Sequence, residues 1–505
     1  MIRAKALGID AFALDIGTDS FTDTQLGYAY ASAANNGMKV FISFDFNYWS
    51  TGDATGVGQK IAQYAGLPAQ MMVDGKVFVS TFVGDGLNVP AVRTAAGVTL
   101  HFDANFHPSY GTDLSVLDSA FNWMGWPNNG DNRAPNPGQT GTVEAGDQQY
   151  INALNGKDYM APVSPWFFTH YGPEVSYSKN WLFPGDTLWY DRWTELLTLG
   201  SRFVEIVSWN DYGESHYVGP LSSPHLDDGA SKWANDMPHD AWIDMAKPYI
   251  AAYKAGATSV NSYITSDSLT YWYRPQPKTE NCASTDTCES GTAGGNYYIG
   301  PPNGYNTVSD SVFVVAMLTA PGTVTVTSGG TTQSFNAPAG ANIYTVPMGI
   351  GQQSFSLTRN SQTVLSGISE KNIIDGCVCG LYNFNAYVGS LPVGMSDALS
   401  GAGYANFENG LRVSTCSPMP SLSSQTATSA TSGSAMMRSA TPSVSTTTST
   451  TVQTVLTTTV KTASSSTTPV FRNPPASTST TAITMVRTVA ASSTTKVFRT
   501  APASA

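Results

Sequence analysis

The chain has 505 residues, too many for one compact core, so more than one domain is expected. With 25 basic against 36 acidic residues and a formal net charge of -11, it is ill suited to gripping phosphate backbones, which excludes nucleic acid as a partner. Only 12% of residues are charged while 11% are aromatic, and flat amphipathic rings of this kind suit neutral sugars.

The opening stretch, Met1 to Leu7, has no long apolar run and no cleavage pattern of a signal peptide. From residue 1 to 257, short β-rich runs alternate with helical patterns, which predicts a parallel sheet covered by helices. The candidate strands are residues 11–16, 40–45, 77–82, 99–103, 120–123, 159–163 and 203–209; the clearest helices are 23–35, 187–199 and 240–255. Polar and aromatic residues follow the strands: Asp15, Asp45 to Trp49, Asp103 to Asn105, Trp123 to Trp126, Ser164 to Trp166, and Asn210 to Glu214. In an α/β fold of the (β/α)8 TIM-barrel type, those strand ends form the active-site face.

From 258 to 417 the texture changes to alternating runs such as Val312–Met317, Gly322–Thr327 and Gln353–Leu357, broken by Gly, Pro and Asn, and a β-sandwich is expected. All five cysteines (Cys282, Cys288, Cys377, Cys379, Cys416) fall in this half, which argues for staples of an exported domain and against a catalytic thiol. Cys377 and Cys379 are too close to bridge each other easily, so each is expected to have a distant partner. Residues 418–505 are dominated by Ser, Thr, Pro and Ala and are expected to form a disordered stalk dispensable for chemistry. No run of about twenty apolar residues is present, so no membrane span is expected.

Cleaving a glycosidic bond requires one carboxylic acid to protonate the leaving oxygen and one carboxylate to activate water or attack the anomeric carbon. Ser208-Trp209-Asn210-Asp211-Tyr212-Gly213-Glu214-Ser215-His216-Tyr217 supplies two carboxylates three residues apart at a strand end. Asp45 is a third. Glu214, with the longer side chain, is expected to be partly buried, raised in pKa and the general acid; Asp211 is expected to be the general base. Trp209, Asn210, Tyr212, Tyr48, Trp49, Asp103, His107, Trp126, Trp166 and His216 are the candidate sugar contacts. The six histidines show no zinc-binding spacing, so neither metal nor cofactor is expected.

The runs Lys5–Leu14, Phe41–Asp45, Ser164–Phe167 and above all Ser208–Tyr217 resemble fungal α-1,3-glucanases, the mutanases of glycoside hydrolase family 71. The similarity continues through Leu381–Gly389 and stops before the Ser/Thr-rich stretch. The resemblance implies a (β/α)8 catalytic domain and endo-hydrolysis of α-1,3-glucan with inversion, by a monomer that is secreted or held in the cell wall. It also implies that Asp211, Glu214 and Asp45 are the essential carboxylates. Proteins of this family have a signal peptide and a first barrel strand before the segment matching Lys5–Asp10, so the barrel is expected to be incomplete at its N-terminus, with two open edges. A hydrolase for another polysaccharide and a non-catalytic glucan-binding wall protein are the alternatives.

Overall fold

The computed structural model describes residues 1–128, 142–172, 179–221, 230–234, 237–286, 300–394 and 481–486. Strands β1 (Ala11–Ile16), β2 (Lys39–Asp45), β3 (Met72–Val73), β4 (Lys76–Phe82), β5 (Leu100–Ala104), β6 (Ser119–Phe121), β7 (Asp158–Val163), the hairpin β8 (Phe168–Tyr171) and β9 (Lys179–Leu182), and β10 (Phe203–Ile206) come in chain order. The pairs β1–β2, β2–β4, β4–β5, β5–β6, β6–β7 and β7–β10 are all parallel. Helices Thr22–Asn36, Ala54–Ala65, Val89–Ala96, Val143–Leu154, Leu188–Leu199 and Asp240–Lys254 connect or cover them. Local chemistry sets the helix starts: Asp53, Asn88 and Thr142 each cap the N–H three residues on. Gly58 lets two helices cross closely, since a Cβ there would lie 2.6 Å from the Val92 carbonyl oxygen.

Successive strand residues face opposite sides, which sorts this sheet into two layers. Phe12, Leu14, Val40, Ile42, Val77, Val79, Phe102, Ala161, Val204 and Ile206 pack outward in the large core. Ala11, Ala13, Phe41, Phe78, Phe121, Met160 and Phe203 pack inward. The same inward register continues to Asp15, Ser43, Asp45, Ser80 and Glu205, so the apolar inside of these strands gives way to acids towards their C-terminal ends.

Strands β11 (Ser268–Tyr273), β12 (Ser311–Leu318), β13 (Gly322–Ser328), β14 (Thr331–Ala337), β15 (Gly340–Pro347), β16 (Gln353–Arg359), β17 (Gln362–Ile368) and β18 (Tyr387–Leu391) form two antiparallel sheets, ordered β15-β12-β11-β18 and β14-β13-β16-β17. Leu269, Tyr271, Val312, Val314, Val324, Val326, Phe355 and Leu357 from both sheets share one apolar cluster. The opposite face of the first sheet, through Trp272, Phe313, Val315 and Val388, belongs to the large core around the parallel sheet. Cys282 and Cys377 are bridged across 95 residues, and Cys379 is also disulfide-bonded. Cys288 and Cys416 lie outside the described residues.

The structure corrects the reading of the C-terminal stretch and of the open seam. Strand β19 (Thr481–Val486) runs antiparallel between β1 and β10, with Ile483 opposite Phe12 on one side and Ile206 on the other. The pairings thereby close into a ring, and the edges of β1 and β10 are not open. The physical reason is visible in Thr481-Ala482-Ile483-Thr484-Met485-Val486, a β-branched alternating run that overall Ser/Thr content conceals. Two facing edges with unpaired backbone groups favour any strand that fits between them. The remainder of the predicted stalk lies outside the described residues.

Stopping the chain before Thr481 is therefore expected to lower the melting temperature by several degrees, at roughly 2–4 °C per kcal/mol lost, and to promote aggregation. An unchanged melting curve would show that β19 adds nothing to closure. Replacing Cys282 with Ser is expected to cost about 2–5 kcal/mol in denaturant unfolding.

Candidate active site

The loop after β10 folds back on itself at the acidic end of the ring. The Ser208 N–H donates to the His216 carbonyl at 3.0 Å and the Val218 N–H donates to the Ser208 carbonyl at 3.0 Å, so the ten-residue motif is a closed loop. Inside it, the Asp211 N–H donates to Ser208 Oγ at 3.1 Å and the Glu214 N–H donates to Asp211 Oδ1 at 3.1 Å. Gly213 suits a close approach, since a Cβ there would run into the Tyr171 hydroxyl.

His216 is fully buried and organises the acids. Its Nδ1 lies 2.9 Å from Ser208 Oγ, and its Nε2 lies 3.2 Å from Glu214 Oε2 and 3.5 Å from Asp211 Oδ2. Facing two carboxylates, Nε2 carries the ring hydrogen. Lys179 of β9 contacts the other Glu214 oxygen, Oε1. Burial raises the Glu214 pKa, but the Lys179 ammonium and the His216 hydrogen bond outweigh it and bring the group down to about 2. This corrects the expectation that Glu214 is a raised, protonated acid. One oxygen or nitrogen from each of Asp211, Glu214 and His216 lies within 4.8 Å of the others, a spacing a cation could use. Lys179 already supplies positive charge there.

Asp45, at the end of β2, behaves oppositely. Burial raises it to about 6, against the lowering effect of the Asn47 N–H at 2.8 Å. Asp15, at the end of β1, is raised further, first by burial and then by the charges of Asp45, Glu205 and Asp211. Tyr48 packs on Gly17, and its phenol is pushed up by burial with Asp45, Asp19 and Asp15 nearby. Asp15, Asp45, Tyr48, Asp211, Glu214 and His216 therefore belong to one electrostatic neighbourhood.

The profile of Glycosyl hydrolase family 71 matches residues 1–400. The chain belongs to this family. It is 45% identical over 407 residues to a mutanase of Penicillium rubens, covering 80% of this chain and 86% of that protein. It is 37% identical to a glucan endo-1,3-alpha-glucosidase of Schizosaccharomyces pombe, covering 77% and 88%. The ascus wall endo-1,3-alpha-glucanase of the same yeast is 28% identical, covering 76% and 90%. A GH99 endo-alpha-mannosidase structure from Bacteroides thetaiotaomicron aligns with a TM-score of 0.36 at 15% identity, over 50% of this chain and 78% of that one, a likeness too slight to carry weight.

In this family 71 chain, several expected sugar contacts are structural instead. Asp103 is fully buried inside the ring, where it accepts from Ser119 Oγ at 2.5 Å, and burial raises it to about 7. Trp126 is also fully buried, donates to the Trp166 carbonyl at 2.7 Å and packs on Phe167 and His216. Trp166 donates to the Phe384 carbonyl at 2.9 Å and ties the two β-regions together. Tyr212 is buried with its hydroxyl on the Pro220 carbonyl at 2.8 Å, and His216 touches acids, with no exposed surface for sugar. Trp49 is half-buried and donates to the Ile16 carbonyl at 3.1 Å. His107 stands on a separate loop, held by Asp85 at 2.7 Å and stacked on the exposed Tyr110. Tyr48, Trp209 and Asn210 stay half-exposed at strand ends.

Sequence reasoning missed Lys179, and it chose Trp126 where Trp123 is the half-exposed ring, set edge-on to Phe82 at 4.6 Å. Half-exposed Trp181 was missed as well, being in a hairpin outside the main strand pattern. Asp15 was visible as a strand-end acid, but its link to Asp45 was not.

Asp103 gives a pH prediction. Burial raises its folded pKa from 3.8 to about 7, so the folded state holds the proton more tightly. Its favourable contribution is complete below about pH 4 and is lost as pH rises to about 7, by up to a few kcal/mol in total. Melting temperature is expected to fall across that window, and Asp103→Asn to flatten the fall while leaving KM unchanged. A raised KM would return Asp103 to the sugar site.

Proposed function

We propose that this protein is a secreted or wall-held endo-hydrolase of α-1,3-glucan, built on a TIM-type barrel with a β-sandwich beside it, and acting with inversion through Asp45, Asp211 and Glu214. The observation that carries the reading is the divergence of carboxylates at one strand-end face: Glu214 pulled down to about 2 while Asp45 is pushed up to about 6. Two acids driven apart in this way are what a glycosidase needs to have one proton donor and one base at mildly acidic pH. Relatives named as mutanase and glucan endo-1,3-alpha-glucosidase support the linkage. The Cys282–Cys377 bridge supports export. Half-exposed rings after several strands, Phe46, Tyr48, Phe82, Trp123 and Trp209, support a cleft with more than one sugar subsite.

Geometry also bears on the pairing of roles. An inverting pair needs its carboxyl groups about 6.5–9.5 Å apart, with water between them. Asp211 and Glu214 bring oxygens within 4.8 Å of each other, too close for that. The donor in this reading is Asp45, and the Glu214–Asp211 side holds the water.

Three observations test it: cleavage of α-1,3-glucan over β-1,3- and α-1,4-glucans, oligosaccharides as the earliest products, and release of the β-anomer. Exclusive glucose release would remove the endo action. Asp45→Asn is expected to lose at least a hundredfold on glucan, within the range of general acid catalysis, yet keep activity on an α-glucosyl fluoride, whose leaving group needs no proton. Glu214→Gln is expected to lose both. The reverse pattern would exchange the roles.

A further inference from the structure

We propose that Lys179 is a positioning residue that holds Glu214 as an anion and so fixes it as the base of the reaction; this deepens the hydrolytic reading above and rests on it. Lys179 lies 35 residues before Glu214 in sequence and on a different element, yet the two side chains are in direct contact. Both carboxylate oxygens of Glu214 are occupied by donors, Oε1 by Lys179 and Oε2 by His216. The main chain is fixed too, since the Glu214 carbonyl accepts from Phe168 N at 3.0 Å and its N–H donates to Asp211. A carboxyl group that accepts on both oxygens is held in the ionised form.

Lys179 is itself held in place. It is the first residue of β9, paired opposite Tyr171 of β8, with its ammonium 5.9 Å from the centre of the Trp181 ring. Trp181 stacks on Phe167 at 6.2 Å, and Phe167 packs against His216 at 5.7 Å. One aromatic stack thus positions both donors to Glu214. Among the described residues, the titratable groups near Glu214 are Lys179 from β9, Asp211 and His216 from its own loop, and Tyr171 from β8, whose hydroxyl approaches the adjoining Gly213. Without the lysine, burial and the neighbouring Asp211 would favour a proton on Glu214. In the reaction, the Glu214 carboxylate takes a proton from water as the water oxygen bonds to the anomeric carbon. The glycosidic C–O bond breaks, and its oxygen receives the Asp45 proton.

The test is the pH dependence of kcat/KM between pH 2 and 7 on soluble α-1,3-linked oligosaccharides, for the parent, Lys179→Met, Lys179→Gln and Lys179→Arg. Melting temperatures identify any variant that fails to fold, and Gln, which keeps length and hydrogen bonding but not charge, stands in if Met does. The acid limb is expected to move up by at least one pH unit in the Met and Gln variants, with activity recovering towards the parent near pH 7. Arg should keep the parent's limb. An active parent whose limb is unmoved in the Met and Gln variants would overturn the role of Lys179 alone. An inactive parent would instead overturn the hydrolytic reading on which it rests.

Discussion

Confinement of like charge governs this molecule. The inward face of the ring carries Asp15, Asp45 and Glu205 towards one end, and the loop after β10 adds Asp211 and Glu214. So many carboxylates cannot all ionise in a space from which water is partly excluded. Each group resolves the conflict differently: Asp15 and Asp45 are pushed towards the protonated form, first by burial, and Glu214 takes Lys179 as a counter-ion. The spread of protonation states that a glycosidase exploits therefore follows from the strand register.

The supporting structure keeps these acids at fixed distances. The β8–β9 hairpin is joined to the loop after β10 through Phe168 N and to the segment before β12 through Leu182 N, which donates to the Asn303 carbonyl at 2.9 Å. Trp166 and His239 reach carbonyls of Phe384 and Ala386 just before β18. Trp242 bridges Trp166 and Trp272. The antiparallel sheets thus contribute backbone acceptors to the residues behind the active site, and a shared apolar core makes the two regions one packing unit.

Much of this was legible because period-two alternation and strand-end chemistry are local. All of the parallel strands of the ring were found within a few residues of their observed bounds, and the Ser208–Tyr217 motif proved to be the loop that brings Asp211, Glu214 and His216 together. What failed was non-local. Whether a strand-end tryptophan faces sugar or core depends on its neighbours across the ring, so Trp126 and Trp123 could not be told apart. A short strand in a Ser/Thr-rich stretch has no signal beyond six alternating residues, and only the gap between β1 and β10 gives it meaning.

The reversal at Glu214 shows how magnitude decides between two true principles. Partial burial does raise a carboxyl pKa, and at 17% side-chain exposure the effect on Glu214 is large. The net fall from 4.5 to about 2 corresponds to about 3 kcal/mol in favour of the charged form. A single opposite charge about 4 Å away contributes about 4 kcal/mol at an effective dielectric near 20. His216 adds a hydrogen bond to that attraction, so an ammonium in contact, helped by the imidazole, is large enough to reverse desolvation. Residue type and spacing alone establish that Glu214 stands at a strand end beside Tyr212. They say nothing of a lysine arriving from another hairpin, and that arrival decides which way the proton moves.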